Sequence, residues 1–163
     1  MATLAKIVDL DLPVIALVGR VNVGKSTLFN RLTETNKALV SSIPGTTRTR
    51  NVGLAIWRGK HVRVVDTGGL TFSEDVPLEE DIIKQTQAAL KEADVIIFVT
   101  DIKEGLLPQE KELAKLLKSK KKNCPVIFVA NKADSPVDRS LKYERDWLKL
   151  GLGEPMAISA ENG

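Results

Sequence analysis

At 163 residues, with 43% apolar and 28% charged side chains, the chain has ordinary globular composition and the length for one α/β domain with a sizeable core. The net charge of +3 permits contact with nucleic acid without arguing for it, and no run of 18 apolar residues is present to span a membrane. A single cysteine, Cys124, excludes an internal disulfide and suits a reducing cytoplasm.

Met1 to Leu12 carries acids and lacks a long apolar core, so it does not read as a secretory signal. The first apolar run, Val14-Ile15-Ala16-Leu17-Val18, has the length and β-branching of a buried strand. Gly19-Arg20-Val21-Asn22-Val23-Gly24-Lys25-Ser26 follows and fits G-x-x-x-x-G-K-[ST] at all four fixed positions. Leu28 and Leu32 then share one helical face. Strand, glycine-rich turn and helix form the context in which this motif cradles a polyphosphate. Gly19 and Gly24 let the backbone close round the ligand, so that N–H groups from Asn22 to Thr27 can point inward. The helix start adds its unpaired N–H groups and the positive end of its dipole. Lys25 can reach the outer phosphates, and the Ser26 hydroxyl is a hard ligand suited to Mg²⁺.

Thr35 to Arg50 is polar and without period, and reads as a long loop containing Pro44-Gly45-Thr46-Thr47. Val52, Leu54 and Ile56 alternate, Arg58-Gly59-Lys60 makes a turn, and Val62 and Val64 alternate again. That pattern predicts an antiparallel hairpin. Asp66-Thr67-Gly68-Gly69 ends its second strand, where Asp66 can orient Mg²⁺ through water and the Gly69 N–H can meet a γ-phosphate. Leu70 to Glu80 is a second polar stretch. Both polar stretches are expected to act as nucleotide-dependent switches, with Thr46 and Thr47 as candidate donors of a hydroxyl to Mg²⁺.

Ile82, Ile83, Thr86, Ala89 and Leu90 form a helical stripe, and Val95 to Val99 is a buried strand. Leu113, Leu116 and Leu117 mark a helix after Pro108. Lys118, Lys120, Lys121 and Lys122 read as its solvated end. Val126 to Val129 is a further buried strand, Leu141, Trp147 and Leu148 suggest a helix, and Met156-Ala157-Ile158 makes a last short strand. Six strands are predicted, all but one parallel, in the three-layer sandwich of a P-loop α/β fold. The chain stops at Gly163, where a doubly wound sheet normally receives a covering helix, so a fragment of a longer polypeptide is expected.

Asn131-Lys132-Ala133-Asp134 follows the fifth predicted strand, with Asn131 lying 105 residues past Ser26. Guanine offers N1–H and the N2 amino group side by side, and the Asp134 carboxylate can accept from both. Adenine presents a bare N1 acceptor there and would leave the carboxylate unpaired, a mismatch that polar sites reject strongly. Asn131 either contacts another base edge or ties loops together, and the Lys132 stem can lie against the ring. Ser159-Ala160 completes the pocket with small residues whose backbone N–H groups can approach the guanine carbonyl.

These five elements, in this order, resemble the G domain of translation-factor-related GTPases. Gly19 to Asn30, Pro44-Gly45-Thr46-Thr47-Arg48, Asp66-Thr67-Gly68-Gly69-Leu70 and Leu150-Gly151-Leu152-Gly153-Glu154-Pro155 are together similar to the first G domain of the Der/EngA family. That bacterial family has two tandem G domains and a KH-like domain and acts in large-subunit ribosome assembly. The likeness covers residues 12–163, and Asp-Thr-Gly-Gly in place of Asp-Thr-Ala-Gly argues against the tRNA-modification and Era relatives. It implies a cytoplasmic GTPase that binds GTP and GDP and meets the ribosomal large subunit or its RNA through parts of the full-length protein. It gives the Mg²⁺ role to Thr47 and offers Asn22 as a potassium ligand. Catalysis then falls to Lys25, Thr47, Gly69 and Asn22. Val21 replaces the family's proline and Thr49 its acid. Leu70 stands where many GTPases carry a water-orienting glutamine, so slow intrinsic hydrolysis is expected, with a non-hydrolysing guanine-nucleotide module as the rival reading.

Overall fold

The computed structural model describes residues 11–33, 41–45, 48–69, 78–119, 124–144 and 146–163. Seven strands are present among them: β1 (Val14–Val18), β2 (Ser41–Gly45), β3 (Arg48–Trp57), β4 (Lys60–Asp66), β5 (Val95–Asp101), β6 (Val126–Asn131) and β7 (Met156–Ala157). Four α-helices accompany them: α1 (Lys25–Thr33), α2 (Leu78–Glu92), α3 (Pro108–Ser119) and α4 (Pro136–Glu144). The strands form one sheet in the order β2-β3-β4-β1-β5-β6-β7. β4, β1, β5, β6 and β7 are mutually parallel, and β3 pairs antiparallel with both β4 and β2. β3 is therefore the one strand that runs against the rest, as expected.

The alternation of side chains along the central strands explains the layers. Ala16, Val18, Ile96, Phe98, Phe128 and Ala130 face one side, where Ile82 and Ala89 of α2 and Leu113, Ala114 and Leu117 of α3 cover them. Phe98 stacks on Phe128 with centroids 5.7 Å apart, and the Trp147 ring meets Phe128 edge-on at 5.8 Å. Leu17, Val64 and Val99 face the other side against Leu28 and Phe29 of α1. Each fully buried Val, Leu, Ile or Phe among them contributes about 1.5–3 kcal/mol. Cys124 is buried on the α2–α3 side with its thiol 3.4 Å from the Ala93 carbonyl, a packing role.

Three sequence expectations are corrected. Thr35–Arg50 is not one loop: Ser41–Gly45 is strand β2, and β3 already begins at Arg48. The six predicted strands are all there, and β2 is an additional seventh. Its sequence, Ser-Ser-Ile-Pro-Gly, carries no apolar alternation because its order comes from backbone pairing to β3, and Pro44 is tolerated because β2 is an edge strand. The polar stretch Leu70–Glu80 ends earlier than expected, since α2 already begins at Leu78. Leu141, Trp147 and Leu148 do not share a helix. α4 stops at Glu144, and a 3-10 turn, Trp147–Leu150, buries Trp147 while Leu148 stays exposed. Of the lysine cluster, Lys118 closes α3 and Lys120, Lys121 and Lys122 lie outside the described residues.

Candidate functional site

The order of the parallel strands reverses across β1 and β5, and the carboxyl ends of β1, β4, β5 and β6 open at that switch point. The loop Gly19–Gly24 runs from the end of β1 into α1 there. Positive φ recurs at Gly19 (151°), Asn22 (66°) and Gly24 (92°), the kind of alternation that turns successive N–H groups to one side. Neither glycine admits a side chain. A Cβ on Gly19 would lie 2.3 Å from the Val99 carbonyl oxygen, and one on Gly24 would lie 2.3 Å from Asn131 Nδ2.

Lys25 is 6% exposed, and its ammonium donates to the carbonyls of Gly19 (2.7 Å) and Arg20 (2.6 Å). Burial pushes its pKa down to about 8, against the opposing pull of Asp66. The cation is thus held inside the phosphate loop on weak neutral partners, which a polyphosphate would replace with charge-assisted bonds. Ser26 Oγ donates to Asp66 Oδ2 at 3.0 Å, and the Gly68 N–H donates to Asp66 Oδ1 at 2.9 Å. A hydroxyl facing a buried carboxylate is a hard-oxygen pair that fits Mg²⁺. Gly69 closes the 3-10 turn Thr67–Gly69 beside them, and Thr27 is exposed in the first turn of α1. Thr46, Thr47 and Leu70 lie outside the described residues, and Thr49 is placed by its backbone opposite Pro44.

The base-side motif is bound to the phosphate loop through its own side chains. Asn131, 3% exposed, donates from Nδ2 to the Val23 carbonyl at 2.9 Å and accepts the Ala160 N–H at 3.0 Å. Of the two roles open to Asn131, the one seen is that of a tie between loops. Lys132, at φ 68°, reaches back to donate to the Asn22 carbonyl at 2.7 Å and pairs with Asp101 at 2.8 Å. Asp134 accepts from Ser159 Oγ on Oδ1 (2.7 Å) and from Lys103 Nζ on Oδ2 (3.0 Å). The Ser159 hydroxyl and the Lys103 ammonium hold its carboxyl below the ordinary aspartate range, so both oxygens are acceptors at neutral pH.

Several partners have no motif to announce them. Lys103 and Asp101 come from the end of β5 and its following turn. Arg20 pairs with Glu110 at 2.8 Å and also with Glu104, and Glu110 is fully buried while accepting the Leu107 N–H at 2.7 Å. Thr67 donates to the Leu17 carbonyl at 2.6 Å, locking the Asp66 turn to β1. Lone charges on unrelated elements carry no spacing signal, and only the fold brings them together.

Residues 14–132 match the family model described as the 50S ribosome-binding GTPase. The chain belongs to that family. Within the family it is 48% identical over 150 residues to GTPase Der of Bacteroides thetaiotaomicron, covering 91% of this chain and 33% of that protein. GTPase Der of Limosilactobacillus reuteri is 46% identical over 151 residues, covering 93% of this chain and 33% of the relative. The chain thus spans about a third of the curated relatives it matches, consistent with a first G domain. Among solved structures, Era from Aquifex aeolicus bound to GDP and AlF4⁻ superposes with a TM-score of 0.67 at 36% identity, covering 92% of this chain and 52% of that one. Era in complex with MgGDPNP and nucleotides 1506–1542 of 16S ribosomal RNA gives 0.69 at 35%, with 93% and 52% covered. The G domain of the T. maritima FeoB iron transporter gives 0.62 at 28%, with 93% and 89% covered. The fold is that of a P-loop GTPase G domain. Among the described residues no helix is long and apolar enough to cross a membrane.

Proposed function

We propose that this chain is a GTP-binding and GTP-hydrolysing switch of slow intrinsic rate. It forms one G domain of a longer cytoplasmic protein that acts in assembly of the large ribosomal subunit. The observation that carries the guanine assignment is Asp134. Its ionised carboxylate is braced by Ser159 and Lys103, on a loop that Asn131 and Lys132 tie to the phosphate loop. An acceptor pair at that place matches N1–H and N2–H of guanine and repels N1 of adenine. Similarity to Der relatives and the family's ribosome-binding description support the ribosomal role.

In the proposed reaction the N–H groups of Asn22 to Thr27 cradle the phosphates, and Lys25 leaves the Gly19 and Arg20 carbonyls for the β- and γ-phosphate oxygens. Ser26, Thr47 and, through water, Asp66 are the residues that would hold Mg²⁺, which when bound would supply charge neutralisation to the reacting phosphates. The Gly69 N–H fixes the γ-phosphate. The Asn22 side-chain oxygen would help hold a potassium ion, which would supply positive charge as an arginine finger does elsewhere. Leu70 offers no hydrogen bond to a water, so catalysis rests on charge stabilisation and positioning.

Leu70 also favours a second reading, a guanine-nucleotide-binding module with negligible hydrolysis. Single-turnover release of γ-phosphate separates the two. Hydrolysis several-fold faster in potassium than in sodium at equal ionic strength is expected, with the difference abolished by Asn22→Ala while GDP affinity is kept. Equal rates in the two salts remove Asn22 from catalysis, and no release in either establishes the binding module.

A further inference from the structure

We propose that the tip of the β3–β4 hairpin is an RNA-contacting surface, in which Trp57 is a stacking platform for a nucleobase and Arg58 and Lys60 neutralise the adjoining phosphates. This deepens the ribosomal reading above and rests on it for the RNA met in the cell, but it assigns a contact to this chain itself.

Ile56 to His61 are all exposed. Trp57 keeps 66% of its surface open although the protein has apolar cores on both sheet faces. Lys60 is its direct cross-strand partner, and the Arg58 guanidinium lies over the indole, 4.2 Å from the ring centroid. An indole flanked by an arginine and a lysine is a surface on which a base can stack while its phosphates find cations. The tip itself is basic, with Arg58 and Lys60 and no acid from Ile56 to His61. Nucleic acid suits that field better than a protein partner, whose docking would need a wider apolar patch than Trp57 and Ile56 supply.

The turn itself favours this use. Arg58 (φ 50°) and Gly59 (φ 75°) are both left-handed, the geometry of a two-residue hairpin turn whose first position prefers asparagine. An arginine there is a poor choice for folding, and it is the residue that lies on Trp57. The tip is also remote from the nucleotide. β4 runs from Lys60 at the tip to Asp66 at the phosphate loop, about 20 Å of strand, so RNA and GTP can be held together.

The test uses the 163-residue chain and a short single-stranded oligouridine. Of the two tryptophans, Trp57 is exposed and Trp147 is 1% exposed, so stacking is read as quenching of the solvent-exposed emission. Saturable quenching at low salt is expected, weakening steeply as salt rises. Trp57→Ala should weaken binding, read by anisotropy of labelled RNA, about tenfold. Arg58→Asn should weaken it several-fold and lower the salt slope while thermal stability stays equal or rises, which separates contact from folding. GDP affinity should be unchanged in both, so failure here leaves the GTPase reading standing, and loss of nucleotide binding alone leaves this one. Absence of quenching, Arg58→Asn binding like the parent, or equal quenching by poly-glutamate would each overturn the proposal.

Discussion

Asp134 and Lys25 occupy opposite ends of the proposed nucleotide, and each is held by groups of its own chain that the ligand has to meet or replace. At Asp134 the two carboxylate oxygens already carry Ser159 and Lys103. Asp134→Asn keeps the shape but turns one acceptor into a donor, which can face the extra carbonyl of xanthine. GTP affinity should fall by about 100-fold or more with a gain for xanthine nucleotides, measured by competition. Unchanged GTP affinity would remove Asp134 from the base pocket. At Lys25 the ligand meets a group that titrates. Its folded pKa of about 8 lies below its unfolded value of 10.5, so the unfolded chain binds the proton more tightly between those values. On this group's account stability rises as pH increases from about 8 to 10.5, the opposite of a lysine that gains a carboxylate partner on folding. Polyphosphate raises the pKa again, so GDP binding should take up protons as pH rises through about 8, which titration in buffers of different ionisation heat would detect. Lys25→Met should remove that uptake.

At the scale of elements, the phosphate loop is fixed by what surrounds it. Arg20 reaches Glu110 in the first turn of α3, and Glu110 has no exposure and a second bond from the Leu107 N–H. Glu110→Ala leaves Arg20 on the more exposed Glu104 alone and strips the Leu107 N–H of its acceptor. Stability should therefore fall by about 1–3 kcal/mol in urea denaturation, and GDP should bind more weakly because the loop loses its brace to α3. Retention of both would make the pair ornamental. This tie also shows where sequence reading ends. β1, β5 and β6 were legible because short, β-branched apolar runs favour buried strands over helices, and the phosphate loop because its chemistry needs fixed residue types. β2 was not, since an edge strand held by backbone pairing needs no apolar alternation. α4 was blurred for a related reason. It buries no residue, so the strongest apolar signal nearby, Trp147, belongs to the turn beyond it.

Across the whole molecule, the site is the meeting of two halves of one sheet. β4 and β1 bring Asp66 and the phosphate loop, β5 and β6 bring Asp101 and the Asn131–Asp134 loop, and all end on the same edge. Asn131 joins the halves by bonding the Val23 carbonyl and the Ala160 N–H, and Gly24 leaves the space that its amide fills. The motifs themselves could be read from spacing, but Lys103, Asp101 and Arg20 could not, because single charges become partners only once β5 and α3 are packed. On the proposed function, this joined edge holds a guanine nucleotide, with Asp134 choosing the base and Lys25 holding the phosphates. Displacement of a fluorescent GDP analogue from the chain by unlabelled GDP and ADP, in Mg²⁺ at one ionic strength, tests it most directly. GDP should displace the probe at a concentration at least about 100-fold below that of ADP; equal displacement by the two would contradict the account.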